Sequence, residues 1–180
     1  MTNRQTTGHL LAAFTIMIWG TTFVSTKVLL NDFTPIEILV FRFIMGFIAL
    51  IIVFPHKMQV KERKHELYFI AAGITGVTLY YLLENIALTY TYASNVGVIG
   101  SLAPIFTAVV AFIFLREEAL RINFFFGFIV ALVGIYFISF NGIAKFELNP
   151  LGDVLAILAT LVWAFYSVIT RKISKTISVR

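Results

Sequence analysis

Three charged side chains lie three or more residues inside the ends of long apolar runs of this 180-residue chain: Lys27, Arg42 and Glu84. At the centre of a bilayer such a charge costs about 2.5 to 3.5 kcal/mol on insertion scales, so it turns toward protein or water and takes a partner. Measured from the cytoplasmic ends of their runs, at 1.5 Å per helical residue, Arg42 stands about 18 Å deep, and Glu84 and Lys27 about 25 Å. All three then share the outer half of the membrane. An acid flanked by two bases in a low dielectric is expected to pair with one of them. Glu84 facing a cavity with Arg42 or Lys27 has two chemistries open to it: holding the amino group of a zwitterionic substrate, or holding a coupling proton. The plainer alternatives are a static structural pair or a carboxylate reaching the outer surface. Lys27 is close enough to the end of its run to snorkel. Arg42 is too deep for that, and both a structural and a substrate-binding role fit it.

A second candidate feature is a helical stripe. At about 100° per residue, Gly8, Ala12, Thr15, Trp19, Thr22 and Thr26 fall within about 80° of one another, a small and weakly polar face on an otherwise oily helix. The same pattern recurs as Gly152, Ala156, Ala159, Trp163, Tyr166 and Thr170. In lipid, such a face packs against other helices or lines a cavity. Both readings stand: close packing, or substrate lining by Trp19, Thr22, Trp163 and Tyr166. Pairs such as Gly97 with Ser101, and Gly127 with Ala131, have the spacing that lets backbones approach, and read as packing.

Other chemistries find no residues. The chain has no Cys, so thiolate metal sites and thiol nucleophiles are excluded. His9, His56 and His65 lie outside or at the edge of the apolar runs, and Glu84 is the single carboxylate well within one. An intramembrane hydrolase or metalloenzyme needs a second acid, a base or a ligand set nearby. Neither an enzyme nor a metal or cofactor is therefore expected. No phosphate-binding loop is present, so energy is expected from an ion or substrate gradient rather than from a nucleotide.

These residues must be positioned by membrane helices. The composition is 59% hydrophobic and 13% charged, with a mean hydropathy of +0.92, far from the roughly 25% charged residues of a soluble domain. A helix needs about 20 apolar residues to cross the hydrocarbon core. Six segments meet that test: Leu10 to Leu30, Pro35 to Phe54, Leu67 to Thr89, Ala93 to Leu115, Asn123 to Phe140 and Leu151 to Thr170. Pro35, Pro55 and Pro150 mark boundaries, whereas Pro104 falls in mid-span. There its ring removes a donor and crowds the Gly100 carbonyl, predicting a kink or hinge.

All the basic residues except Lys27, Arg42 and Lys145 fall at the ends or in the loops on one side of these spans, which predicts cytoplasmic N- and C-termini. The basic loop Lys57 to Lys64 reads as a topology determinant touching anionic lipid, and lacks the aromatic interleaving of a nucleic-acid site. Arg116, Glu117, Glu118 and Arg121 read as an interfacial charge network. The fold class expected is an all-α polytopic bundle of six transmembrane helices, with membrane lipid and a small molecule as partners. Nothing in the sequence fixes an oligomeric state.

Offset by 144 residues, which places Gly8 on Gly152, the first span aligns with the sixth, Trp19 on Trp163 and Thr26 on Thr170. Five spans separate the copies, so the second enters the membrane in the opposite sense, as in inverted-repeat transporters. Residues 8–140 then form one five-helix repeat and residues 150–180 the start of a second, an incomplete ten-span architecture.

The chain resembles the EamA-type, ten-helix branch of the drug/metabolite transporter superfamily. The resemblance lies in Trp19-Gly20-Thr21-Thr22-Phe23 with Lys27, in Pro35 followed by Phe41-Arg42-Phe43, and in Ala87-Leu88 with Tyr90-Thr91-Tyr92-Ala93-Ser94. It continues through Pro104-Ile105-Phe106 and Glu118 with Gly127 and Gly134. Glu84 departs from it, being acidic where that family is expected to be apolar or small. The resemblance implies a secondary transporter of the inner membrane, exporting small metabolites such as amino acids. The alternative is a non-transporting fragment or assembly partner of a helix bundle.

Overall fold

A computed structural model describes residues 3–55, 63–115, 122–139 and 148–176. Lys57 and Lys61 of the basic loop, the group from Arg116 to Arg121, and Lys145 lie outside them. All regular structure among the described residues is helical: α1 (Asn3–Leu29), α2 (Pro35–Val53), α3 (Arg63–Gly73), a π-helical segment (Ile74–Leu79), α4 (Tyr80–Tyr90), α5 (Ala93–Gly100), α6 (Ala103–Leu115), α7 (Ile122–Ser139) and α8 (Pro150–Thr176). Five stretches are long and apolar enough to cross a membrane: Thr6–Leu29, Pro35–Val53, His65–Tyr90, Ala93–Leu115 and Pro150–Lys175. The fifth expected span is α7, an apolar helix of 18 residues. The polytopic helix bundle read from the sequence is the fold.

Local chemistry sets the helix starts. Thr34 caps α2: its hydroxyl accepts from the Glu37 N–H at 3.3 Å, the Glu37 carboxylate accepts from the Thr34 N–H at 2.8 Å, and Pro35 occupies the first turn. This reciprocal arrangement satisfies donors that have no partner within the helix. Asn149 does the same for α8, its side chain accepting from the Gly152 N–H at 3.2 Å while its own N–H donates to Asp153 at 3.0 Å.

Helix α8 forms the centre of the packing, most extensively against α4 and α6, and further against α3, α5 and the π-helical segment. Its small residues account for this. Ala156 packs with Ala87, Leu88 and Val96 in one buried cluster, and Ala164 and Val168 with Val110 and Ala111 in another. The repeated stripe is thus buried along α8 at Gly152, Ala156 and Ala159, whereas its counterpart on α1 is exposed at Gly8, Ala12 and Thr15 and engaged only from Trp19 onward. Large apolar side chains such as Phe47, Ile52 and Phe126 are exposed, as a lipid-facing surface requires.

Two spans depart from continuous helices. In the third, the π-helical segment Ile74–Leu79 replaces regular α-helix. The Thr75 hydroxyl bonds the Ala71 carbonyl at 2.7 Å, competing with the helix ladder, and the ring of Tyr166 occupies the space where a Cβ on Gly76 would stand. A π-turn takes up one extra residue and rotates the rest of the helix by about 100°; Tyr80, Tyr81 and Glu84 come directly after it. In the fourth span the expected kink at Pro104 is a break. Helix α5 ends at Gly100, Ser101 and Leu102 turn with i to i+3 bonds of 3.2 and 3.0 Å, and α6 restarts at Ala103. Proline in the first turn of α6 needs no donor, so the break sits just ahead of it.

Gly152 marks a close approach of α8 to the rest of the bundle. An added Cβ would lie 2.8 Å from the Thr91 Cβ and 3.1 Å from the Thr91 backbone nitrogen. Backbone cannot step aside as a flexible side chain can. Gly152→Ala is expected to lower stability by about 1 to 3 kcal/mol, read as a fall in the thermal midpoint in detergent. Gly8→Ala, with nothing within 4 Å of its Cβ, serves as the matched control and should leave the midpoint unchanged.

Candidate functional site

A cavity of about 470 Å³ opens among α1, α2, α4, α5 and α8, with Trp19, Thr22, Arg42, Glu84, Ser101 and Trp163 among the residues on its wall. Five of the six site residues expected from the sequence, Trp19, Thr22, Arg42, Glu84 and Trp163, come together here. Tyr166 does not line it. Its ring lies 5.0 Å from that of Trp163 and packs over Gly76, so it backs the wall from behind.

The polar part of the wall is built by α2 and α4. Arg42, half-buried, donates from Nη2 to the hydroxyl of the fully buried Thr26 at 2.5 Å, and its guanidinium stands 5.2 Å from the centre of the Tyr81 ring. These contacts fix the plane of the fork. Glu84 is only 2% exposed. Tyr80, one turn earlier on the same helix, and Arg42 stand on the same cavity wall. Among the described residues no direct ion pair joins Glu84 to Arg42 or to Lys27. Beside Glu84, Asn85 donates from Nδ2 to the Pro35 carbonyl at 3.0 Å, while its buried Oδ1 has no partner among the described residues. That bond ties α4 to the start of α2, holding the acid and the base on facing helices.

The aromatic part is continuous. Trp19 meets Trp163 edge to face at 5.4 Å and 89°, Tyr80 stands 4.9 Å from Trp163, and Tyr81 stands 5.1 Å from Phe43. The two tryptophans that the internal offset makes equivalent touch one another. Tyr80 and Tyr81 escaped the sequence reading; their position one turn ahead of Glu84 on the same helix was the available signal.

Lys27 is placed elsewhere. Its ammonium donates to the carbonyls of Leu88 and Thr91 at 2.5 and 2.9 Å, where a cation complements the C-terminal end of α4. It borders a separate pocket with Tyr90, Tyr92 and Asn149, so of the two bases expected near Glu84 only Arg42 shares its cavity. Close by, Asp153 accepts from the Thr91 hydroxyl at 3.0 Å and from the Asn95 side-chain amide at 3.2 Å. It joins the junction of α4 and α5 to the start of α8. No group of three or more metal-ligating side chains occurs among the described residues.

The site thus sets an acid, a base and aromatic walls around a cavity in a multi-pass helix bundle. Residues 6–140 match the EamA-like transporter family, and the chain belongs to that family. It is similar to two proteins of Archaeoglobus fulgidus, each described as an uncharacterized transporter. One is 28% identical over 168 residues, 91% of this chain and 57% of that protein. The other is 30% identical over 160 residues, 88% and 55% respectively. It is also similar to YhbE of Escherichia coli, described as an uncharacterized inner membrane transporter, at 26% identity over 170 residues, 89% of this chain and 53% of that one. The chain spans about half the length of these curated relatives. No solved structure matches it.

Proposed function

We propose that the cavity binds small zwitterionic metabolites such as amino acids and that the protein exports them across the inner membrane, driven by a gradient. One observation carries this: Arg42 and Glu84 face the same cavity without a direct ion pair, the base held instead by Thr26 and Tyr81. The two charges are thereby presented to a ligand that brings both a carboxylate and an ammonium. Trp19, Trp163, Tyr80 and Tyr81 supply the apolar wall for its side chain, as in most small-molecule sites. Cytoplasmic N- and C-termini, from the one-sided distribution of loop Lys and Arg, orient the path.

Counterflow in proteoliposomes with a panel of labelled amino acids tests the reading. Glu84→Gln keeps the shape of the side chain and removes its charge, so it is expected to raise the apparent KM for a transported amino acid about tenfold, the loss of one charge-assisted hydrogen bond. Carboxylate analogues lacking the amino group should lose no affinity on the substitution. Equal KM values for the native and Glu84→Gln proteins across the panel would rule out the zwitterion site. The burial of Glu84 beside Tyr80 favours a second reading, a coupling proton held on the carboxylate; Glu84→Gln would then abolish the response of uptake to an imposed pH gradient while leaving substrate affinity intact.

A further inference from the structure

A second cavity, of about 430 Å³, adjoins the first, with Pro104, Thr107, Phe124, Ser167 and Arg171 on its wall. The residues common to both cavities are Trp19, Ala103 and Trp163. The order along the helices shows how the two are stacked. On α8 the first cavity touches Thr160 and Trp163, and the second Trp163, Ser167, Val168 and Arg171; on α6 the first touches Ala103, and the second continues from Ala103 to Ala111. Both cavities therefore follow the same direction, toward the C-terminal ends of α6 and α8, and between them stands the edge-to-face pair of Trp19 and Trp163 at 5.4 Å.

We propose that the Trp19–Trp163 pair is a gate between two chambers of one transport path, and that the second chamber is a further binding site for the same ligand on its way through. This rests on the transport reading of the first cavity. Two features make the pair suited to gating. Its members come from two helices, α1 and α8, that are not extensively packed on one another, so the rings can part without breaking a core. And the wall beside it includes the Ser101–Leu102 break between α5 and α6, a place where a helix bends at low cost because its ladder is already interrupted. Thr107 and Ser167 give the second chamber polar groups, and Arg171 lines its far end.

The absence of Cys and the presence of just two Trp make the test direct. Ser101→Cys reports on the first chamber and Ser167→Cys on the second, both near-isosteric, in otherwise native protein. An impermeant thiol reagent is applied from each face of oriented vesicles in turn. From the face that labels Ser101→Cys readily, Ser167→Cys is expected to react at least about tenfold more slowly, and Trp19→Ala or Trp163→Ala should remove that difference while Trp→Phe keeps most of it. Equal labelling of both positions from one face with both tryptophans intact would overturn the gate. So would an unchanged ratio in a monodisperse Trp→Ala protein; should neither Ala variant be monodisperse, the native-background labelling decides. Because no transported substrate enters this measurement, its failure is distinct from that of the zwitterion site: gated labelling with no amino acid transport would refute the substrate class and leave the gate, and ungated labelling with amino acid transport the reverse.

Discussion

Asp153→Ala is expected to loosen the end of the bundle where α8 begins, lowering stability by about 3 kcal/mol or more. Asp153 accepts three hydrogen bonds: from the Asn149 N–H that precedes α8, from the Thr91 hydroxyl and from the Asn95 amide. Thr91 is 3% exposed and Asn95 fully buried, so water does not readily replace the lost acceptor, and each bond to a charged group contributes about 1.5 to 3 kcal/mol. The carboxylate also sits in the first turn of α8, where a negative charge complements the helix dipole. Asp153→Asn keeps one acceptor oxygen and the shape, and should cost about 1 to 2 kcal/mol. Thermal midpoints of the three proteins in the same detergent check the order, native above Asp153→Asn above Asp153→Ala. An Asp153→Ala protein as stable as the native one would mean that the junction is held by the packing of Gly152 on Thr91 alone.

That network shows where sequence reading stops in this protein. Hydropathy distinguishes lipid from water, and so the span boundaries at Pro35, Pro55 and Pro150 were legible, as was the separateness of Pro104. Helical periodicity brought Trp19, Thr22 and Trp163 within reach, and depth within apolar runs Arg42 and Glu84, because charges and tryptophans on otherwise apolar helices have few places to go. The illegible part depends on which backbone groups a side chain meets across the fold. Lys27 finds the exposed carbonyls at the end of α4 rather than the carboxylate of Glu84, a choice set by where α4 ends and not by any property of Lys27. Asp153 carried a usable signal, Asn and Pro followed by an acid at a helix start, but its partners Thr91 and Asn95 lie across the bundle. The π-helical segment has no compositional signature at all. It arises where Gly76 meets Tyr166, two residues far apart in the chain, and it turns Tyr80, Tyr81 and Glu84 together toward the cavity.

The electrostatics of that cavity give the remaining large effect. Arg42→Ala is expected to reduce the proposed transport about hundredfold or more and to lower stability by about 3 kcal/mol, because it leaves Glu84 buried without the positive charge that shares its cavity. It also removes the donor to Thr26 and the cation over the Tyr81 ring. Arg42→Lys retains the charge but not the planar fork, so most of the stability should survive while transport still falls, by about tenfold. The decisive protein is the double variant Arg42→Ala with Glu84→Gln. If the guanidinium offsets the carboxylate through the low-dielectric cavity, neutralising Glu84 relieves the damage, and the double variant is more stable than Arg42→Ala alone by about 1 to 3 kcal/mol although it remains inactive. Without that coupling the second substitution adds its own cost and the double variant is the least stable of the set. The sign of this one difference therefore separates two accounts of why an acid and a base face each other across the cavity: charges held ready for a ligand and dependent on one another, or two polar residues each satisfied by its own neighbours.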